Sequence, residues 1–95
     1  MKLSADKVAE KVDELQGWRV DGDAITKTYN LPSFGDAIAF VTRLAFDAEA
    51  ADHHPDLQIS YKKVTVTWST HDAGGVTDKD FAGARQSDMI AGRFT

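Results

Sequence analysis

The stretch LQISYKKVTVTWST, residues 57–70, reads as two short strands around a turn, and it decides the fold class. Val64, Val66 and Trp68 fall on one side of the second strand, and Thr65, Thr67 and Ser69 on the other. Alternation of this kind marks a sheet with one buried and one polar face. The turn is expected at Lys62-Lys63, between strands over 57–61 and 64–70. Upstream, residues 18–21 and 25–29 form a second candidate hairpin, joined at the dipeptide Asp21-Gly22.

Helical periodicity frames the two hairpins. Ser4 is placed to cap a first helix carrying Leu3, Val8, Val12 and Leu15, with Gly17 positioned to end it. After Pro32, Ser33 is placed to cap the longest helix, with Asp36 at the capping-box position. Phe34, Ala37, Ile38, Val41, Ala45 and Ala48 form one apolar stripe running to about Asp52, and Phe40, Leu44 and Phe46 lie outside it. Pro55 closes this segment, because the residue before a proline disfavours helical geometry. Gly74-Gly75 ends the second hairpin, and Thr77 with Asp80 forms another capping-box pattern. The last helix carries Phe81, Ala84 and Met89, with Ile90 beside them. The order α-β-β-α-β-β-α implies an α+β fold, a four-stranded antiparallel sheet with helices packed on one face.

Composition narrows the function classes. At 95 residues the chain is expected to form one domain over 1–95, and its 42% hydrophobic and 27% charged residues suit a globular protein. A net charge of −4 and scattered basic residues argue against a nucleic-acid binder, which needs a basic stripe. The absence of cysteine removes disulfides, thiol nucleophiles and cysteine-based zinc sites. No apolar run approaches the ~18 residues of a membrane span. Met1 to Lys7 lacks the apolar core of a signal peptide, so a cytoplasmic setting is expected.

The chemistry gathers in two short segments. The chain's three histidines are His53 and His54, in EAADHHPD over residues 49–56, and His71, in STHD over residues 69–72. Histidine titrates near neutrality, so a helix end and a strand end brought together could both give and take protons. Other readings stand beside this one. A histidine at a helix C-terminus can simply complement the helix dipole, and Glu49, Asp52 and Asp56 can be solvated charges. Asp80 is already explained by the capping box. Three histidines with Glu49 or Asp52 would also make a nitrogen/oxygen metal site, although adjacent histidines rarely bind one ion. Gly74-Gly75 lacks the spacing of a phosphate-binding loop, and nothing resembles a nucleophile elbow.

The combination of EAADHHPD, Tyr61, the alternating VTVTW of residues 64–68, STHD and Gly74 resembles the pterin-4a-carbinolamine dehydratase family. The resemblance extends over nearly the whole chain, including Gly17-Trp18 and the element order. It departs at Lys62, where the family usually has Asn, and at Leu57, where Trp is frequent. It implies a lyase that converts 4a-hydroxytetrahydropterin to quinonoid dihydropterin plus water in tetrahydrobiopterin recycling. No cofactor and no metal are expected. The resemblance places the catalytic histidines at His53, His54 and His71. Glu49, Asp52, Pro55, Ser69, Thr70 and Asp80 are expected around the pterin substrate. It also implies a homodimer or homotetramer, and Phe40, Leu44 and Phe46, outside the main stripe, point to self-association through the long helix, the last hairpin edge, or both. The alternative is a non-catalytic module of the same fold, a transcriptional coactivator or an assembly factor.

Overall fold

Three side-chain caps set the helices in the computed structural model, which describes residues 1–94. Ser4, Ser33 and Thr77 each accept a backbone N–H from the first turn they precede, starting α1 (Ala5–Asp13), α2 (Phe34–Ala51) and α3 (Asp78–Ala91). Between them lie β1 (Arg19–Asp21), β2 (Ala24–Asn30), β3 (Asp56–Ser60) and β4 (Lys63–Trp68). All pairings are antiparallel, in the order β1-β2-β4-β3. Short 3₁₀ turns cover His71–Ala73 and Gly92–Phe94. This is the expected α+β architecture.

The register divides the sheet into two unlike faces. Ile25 lies opposite Trp68, Tyr29 opposite Val64 and Leu57 opposite Val66, so these side chains share the face that meets the helices. Ile25, Val64, Val66 and Trp68 are buried there with Phe40 and Leu44 of α2 and Phe81 and Ala84 of α3. The opposite face carries threonines, whose hydroxyls pair across strands at 2.9 Å for both Thr26–Thr67 and Thr28–Thr65.

Lys27 shares the helix-facing side, where an unpaired charge would be costly. Asp88 of α3 accepts from Lys27 Nζ at 2.8 Å, Tyr29 Oη at 2.5 Å and Trp18 Nε1 at 3.1 Å. This cluster ties the first hairpin to the last helix. Burial, then the bond and the charge of Asp88, push the Tyr29 phenol far above its ordinary pKa.

Several local readings change. The core stripe of α2 is Ala37, Phe40, Leu44 and Ala48, with Phe40 and Leu44 fully inside. Phe34, Ile38, Ala45 and Phe46 face outward, so the helix is rotated relative to the stripe read from the sequence. In α3, Ile90 is buried and Met89 is exposed. The β3–β4 turn sits one residue earlier than expected, at Tyr61-Lys62, with Ser60 paired to Lys63. Helix α1 ends before Gly17, at the cap Glu14, and Gly17 takes a left-handed conformation in the following turn. Asp36 donates its backbone N–H to Ser33, but no reciprocal side-chain bond completes the box there.

Candidate active site

The end of α2 aims the first histidine. Asp52 adopts a left-handed conformation with φ 53° and ψ 40°, one that Asp and Asn tolerate better than most residues. Its N–H donates to Glu49 O at 3.2 Å, and the N–H of His53 donates to Ala48 O at 3.1 Å. Those two bonds form a Schellman turn, which folds the chain back across the helix end. His53 is thereby directed inward, its side chain only 16% exposed, toward α3 and the end of β4.

Asp80 receives it. This carboxylate is completely buried, and His53 Nε2–H donates to its Oδ1 at 2.6 Å. Its Oδ2 accepts from the backbone N–H of Thr77 at 2.9 Å and from Thr70 Oγ1 at 2.8 Å. Thr70 gives its proton to Asp80, so at 2.8 Å it accepts from the Thr77 hydroxyl. The capping box and the histidine contact use different oxygens of one carboxylate. The buried group is thus fully satisfied, and the His53 ring is fixed at Nε2 while its Nδ1 carries no hydrogen bond among the described residues.

A second constraint acts on the plane of that ring. Trp68, at the end of β4, stacks against His53 with centroids 5.3 Å apart and planes at 23°. Trp68 Nε1 donates to Ser87 Oγ at 3.2 Å, and Ser87 donates to Gly83 O at 2.8 Å. A groove of about 490 Å³ runs between α2 and α3 over this pair, bounded by Leu44, Ala48, His53, Trp68, Gly83 and Gln86.

The other expected site residues are placed differently. His54 points outward, and its Nε2–H donates to Glu49 Oε1 at 2.7 Å, an exposed pair. His71 is exposed on the 3₁₀ turn closed by the Thr70–Gly75 bridge, and its side chain makes no hydrogen bond among the described residues. Pro55 is half-buried between His54 and β3. Ser69 Oγ donates to Asp23 O at 2.8 Å, which ties β4 to the first hairpin. The structure therefore joins His53, Thr70 and Asp80 in one network and His54 with Glu49 in another. It does not link His71 to either by a hydrogen bond. Among the described residues, no group of three or more His, Asp or Glu side chains is placed to hold a metal ion.

The profile of the family described as Pterin 4 alpha carbinolamine dehydratase matches residues 1–90. The chain belongs to that family. A relative from Roseiflexus sp. (strain RS-1), provisionally named pterin-4-alpha-carbinolamine dehydratase, is 53% identical over 94% of this chain and 96% of its own length. Another with the same provisional name, from Chloroflexus aurantiacus (strain ATCC 29366 / DSM 635 / J-10-fl), is 47% identical over 96% of this chain and 98% of its own. Among solved structures, one described as a transcriptional coactivator/pterin dehydratase from Brucella melitensis superimposes with a TM-score of 0.90. It is 38% identical and covers 96% of this chain and 99% of that one. A pterin dehydratase-like protein described as a RuBisCO assembly factor in the alpha-carboxysome matches with a TM-score of 0.69 and 25% identity. That match covers 81% of this chain and 92% of the other.

Within this pterin dehydratase fold, sequence reasoning missed Trp68 as the neighbour of His53, and Gly83 and Ser87 as the residues that seat Trp68. The alternation assigned Trp68 to the core, and nothing local distinguishes it from Val64 and Val66. Gly83, alone in the middle of a helical pattern, was the available signal, since such a glycine often marks a close approach.

Proposed function

We propose that the chain is a 4a-hydroxytetrahydropterin dehydratase acting by histidine acid–base catalysis in tetrahydrobiopterin recycling. In this reaction the C–O bond at position 4a breaks, a ring N–H proton is lost, and the two steps together release one water. An acid must protonate the departing hydroxyl and a base must take the ring proton. Each such transfer is worth ~10²–10⁴-fold in rate.

The observation that carries the reading is the buried His53–Asp80 pair in a chain of this family. A carboxylate behind one imidazole nitrogen sets the tautomer and stabilises the charge that forms when the other nitrogen takes a proton. His53 Nδ1 is the proposed proton-transfer atom. His54 and His71 are proposed to approach the pterin from the solvent side, His54 oriented by Glu49. Asp80 lies behind His53 and acts on the substrate through that ring. Asp52 shapes the turn that presents His53, and Thr70 braces Asp80.

Self-association belongs to the same proposal. Phe40 and Leu44 are buried, but Phe34, Ile38 and Phe46 leave an apolar surface on the outer side of α2, with Phe46 69% exposed. Covering this face with a second copy would form a homo-oligomer. The rival reading, an assembly module without catalysis, draws on the neighbour described as a RuBisCO assembly factor.

Turnover decides between the two. The carbinolamine is generated in situ, and appearance of quinonoid dihydropterin is followed by absorbance with and without the protein. Catalysis is expected, with His53→Ala and His71→Ala each lowering it by roughly 10²-fold or more. Folded alanine variants of all three histidines that keep nearly the full rate would refute the histidine site. A wild-type chain giving only the uncatalysed rate would favour the module.

A further inference from the structure

We infer that Trp68, seated against Gly83 and pinned by Ser87, is a positioning residue that sets the plane of the His53 imidazole. The inference deepens the proposed reaction and rests on His53 as its proton-transfer group. The bond to Asp80 fixes one atom of the ring but leaves rotation about that contact free. Trp68 removes the freedom by lying nearly parallel to the ring, at 23° and 5.3 Å. Both constraints issue from one face of α3, because Asp80, Gly83 and Ser87 recur at spacings of three and four.

The fit at Gly83 shows how closely the indole is held. A Cβ added there would lie 2.6 Å from Trp68 Cε2 and 2.7 Å from Cδ2 and Cζ2, closer than real Cβ contacts come. Those atoms belong to the fused ring system, not to the end of a flexible chain, so the indole itself would have to move. Glycine is a poor helix former, and here its missing side chain admits the ring. At the other edge, the Trp68 N–H has a buried partner in Ser87, which in turn is anchored to the helix backbone. Two contacts, the packing at Gly83 and the bond to Ser87, thus locate the indole, and a ring held that firmly can serve as a reference plane for its neighbour.

Three variants test this: Trp68→Leu, Gly83→Ala and the milder Ser87→Ala. The His53 ring is followed by NMR across pH, and kcat and KM are measured separately on the carbinolamine. In Trp68→Leu the ring-current displacement of the His53 ring signals should disappear. Independently, kcat should fall by about 10-fold or more with KM nearly constant. Gly83→Ala should alter the same signals, and Gly83→Ala/Trp68→Leu should recover part of the stability lost by Gly83→Ala, since the clash has gone. Ser87→Ala should loosen the indole and broaden the His53 signals in a chain that still folds. Unchanged His53 signals and an unchanged kcat–pH profile in folded Trp68→Leu or Ser87→Ala would overturn the inference. The NMR readout needs no turnover, so a wild-type protein without dehydratase activity would refute the proposed function while this test still stands.

Discussion

Asp80→Asn separates the two tasks of the buried carboxylate. The substitution keeps the shape, and the remaining oxygen can still accept from Thr70 and Thr77, whose bonds to Asp80 measure 2.8 and 2.9 Å. The new amide NH₂ then faces His53, where the carboxylate accepted a proton at 2.6 Å. Two donors cannot share that contact, so His53 must move its proton to Nδ1, the atom assigned to proton transfer. Three charge-assisted bonds become neutral ones or change direction, each weakened by about 1 kcal/mol or less, for a total of about 1–3 kcal/mol. A domain with the usual ~5–15 kcal/mol survives that loss. Activity should not: the wrong tautomer is expected to cost ~10²–10⁴-fold in kcat. Asp80→Ala should be worse for folding, because it strands the Thr77 N–H and the Thr70 hydroxyl, at ~1–3 kcal/mol each. Urea midpoints and kcat–pH profiles of both variants provide the assay. Folded Asp80→Asn with a rate within about three-fold of wild type would refute the dyad.

Other outcomes follow from the same geometry. Tyr29 stays protonated in the fold well above pH 10, whereas the unfolded chain ionises near its ordinary value of 10.0. Its contribution to stability is therefore intact below that pH and falls by ~1.4 kcal/mol per pH unit above it, and Tyr29→Phe should flatten the alkaline limb of a denaturation series. Asp52→Gly should keep or raise stability, because glycine takes the left-handed conformation freely, whereas Asp52→Val should cost ~1–2 kcal/mol and slow turnover by misdirecting His53. A differential scanning trace with paired rate measurements would show both effects. Light scattering of the wild type should give a multiple of 10.4 kDa, and Ile38→Glu/Phe46→Glu should reduce it; a wild-type monomer at micromolar concentration would remove the proposed oligomer.

Element types and order were legible because each start carries its own chemistry: Ser4, Ser33 and Thr77 for the helices, alternation from Val64 to Trp68 for the sheet. The rotation of α2 was not. The helix has apolar residues on two flanks, and periodicity within one segment cannot say which flank the sheet takes. Phe40 and Leu44 won because they join the core built with the sheet and α3, Phe40 packing on Tyr29 of β2, a choice made by partners distant in sequence. The histidine segments were conspicuous, yet their connections were hidden for a related reason. The capping box at Thr77 accounts for Asp80 locally, so its other oxygen, turned to His53, leaves no trace in the sequence. Likewise Asp52 reads as a plain charge, and only the backbone reveals it as the corner that turns His53 inward.

One oxygen of Asp80 holds the start of α3 and the other holds the ring proposed to move protons. Competence is thus a property of a single helical turn and need not last as long as the fold does. Helix ends open locally at a smaller free energy than global unfolding. Each opening of that turn frees Thr77 and His53 together, so the fraction of molecules ready to react equals the fraction with the turn closed. On warming, activity should fade before the sheet melts, tracking amide exchange at Asp80 more closely than the loss of tertiary signal.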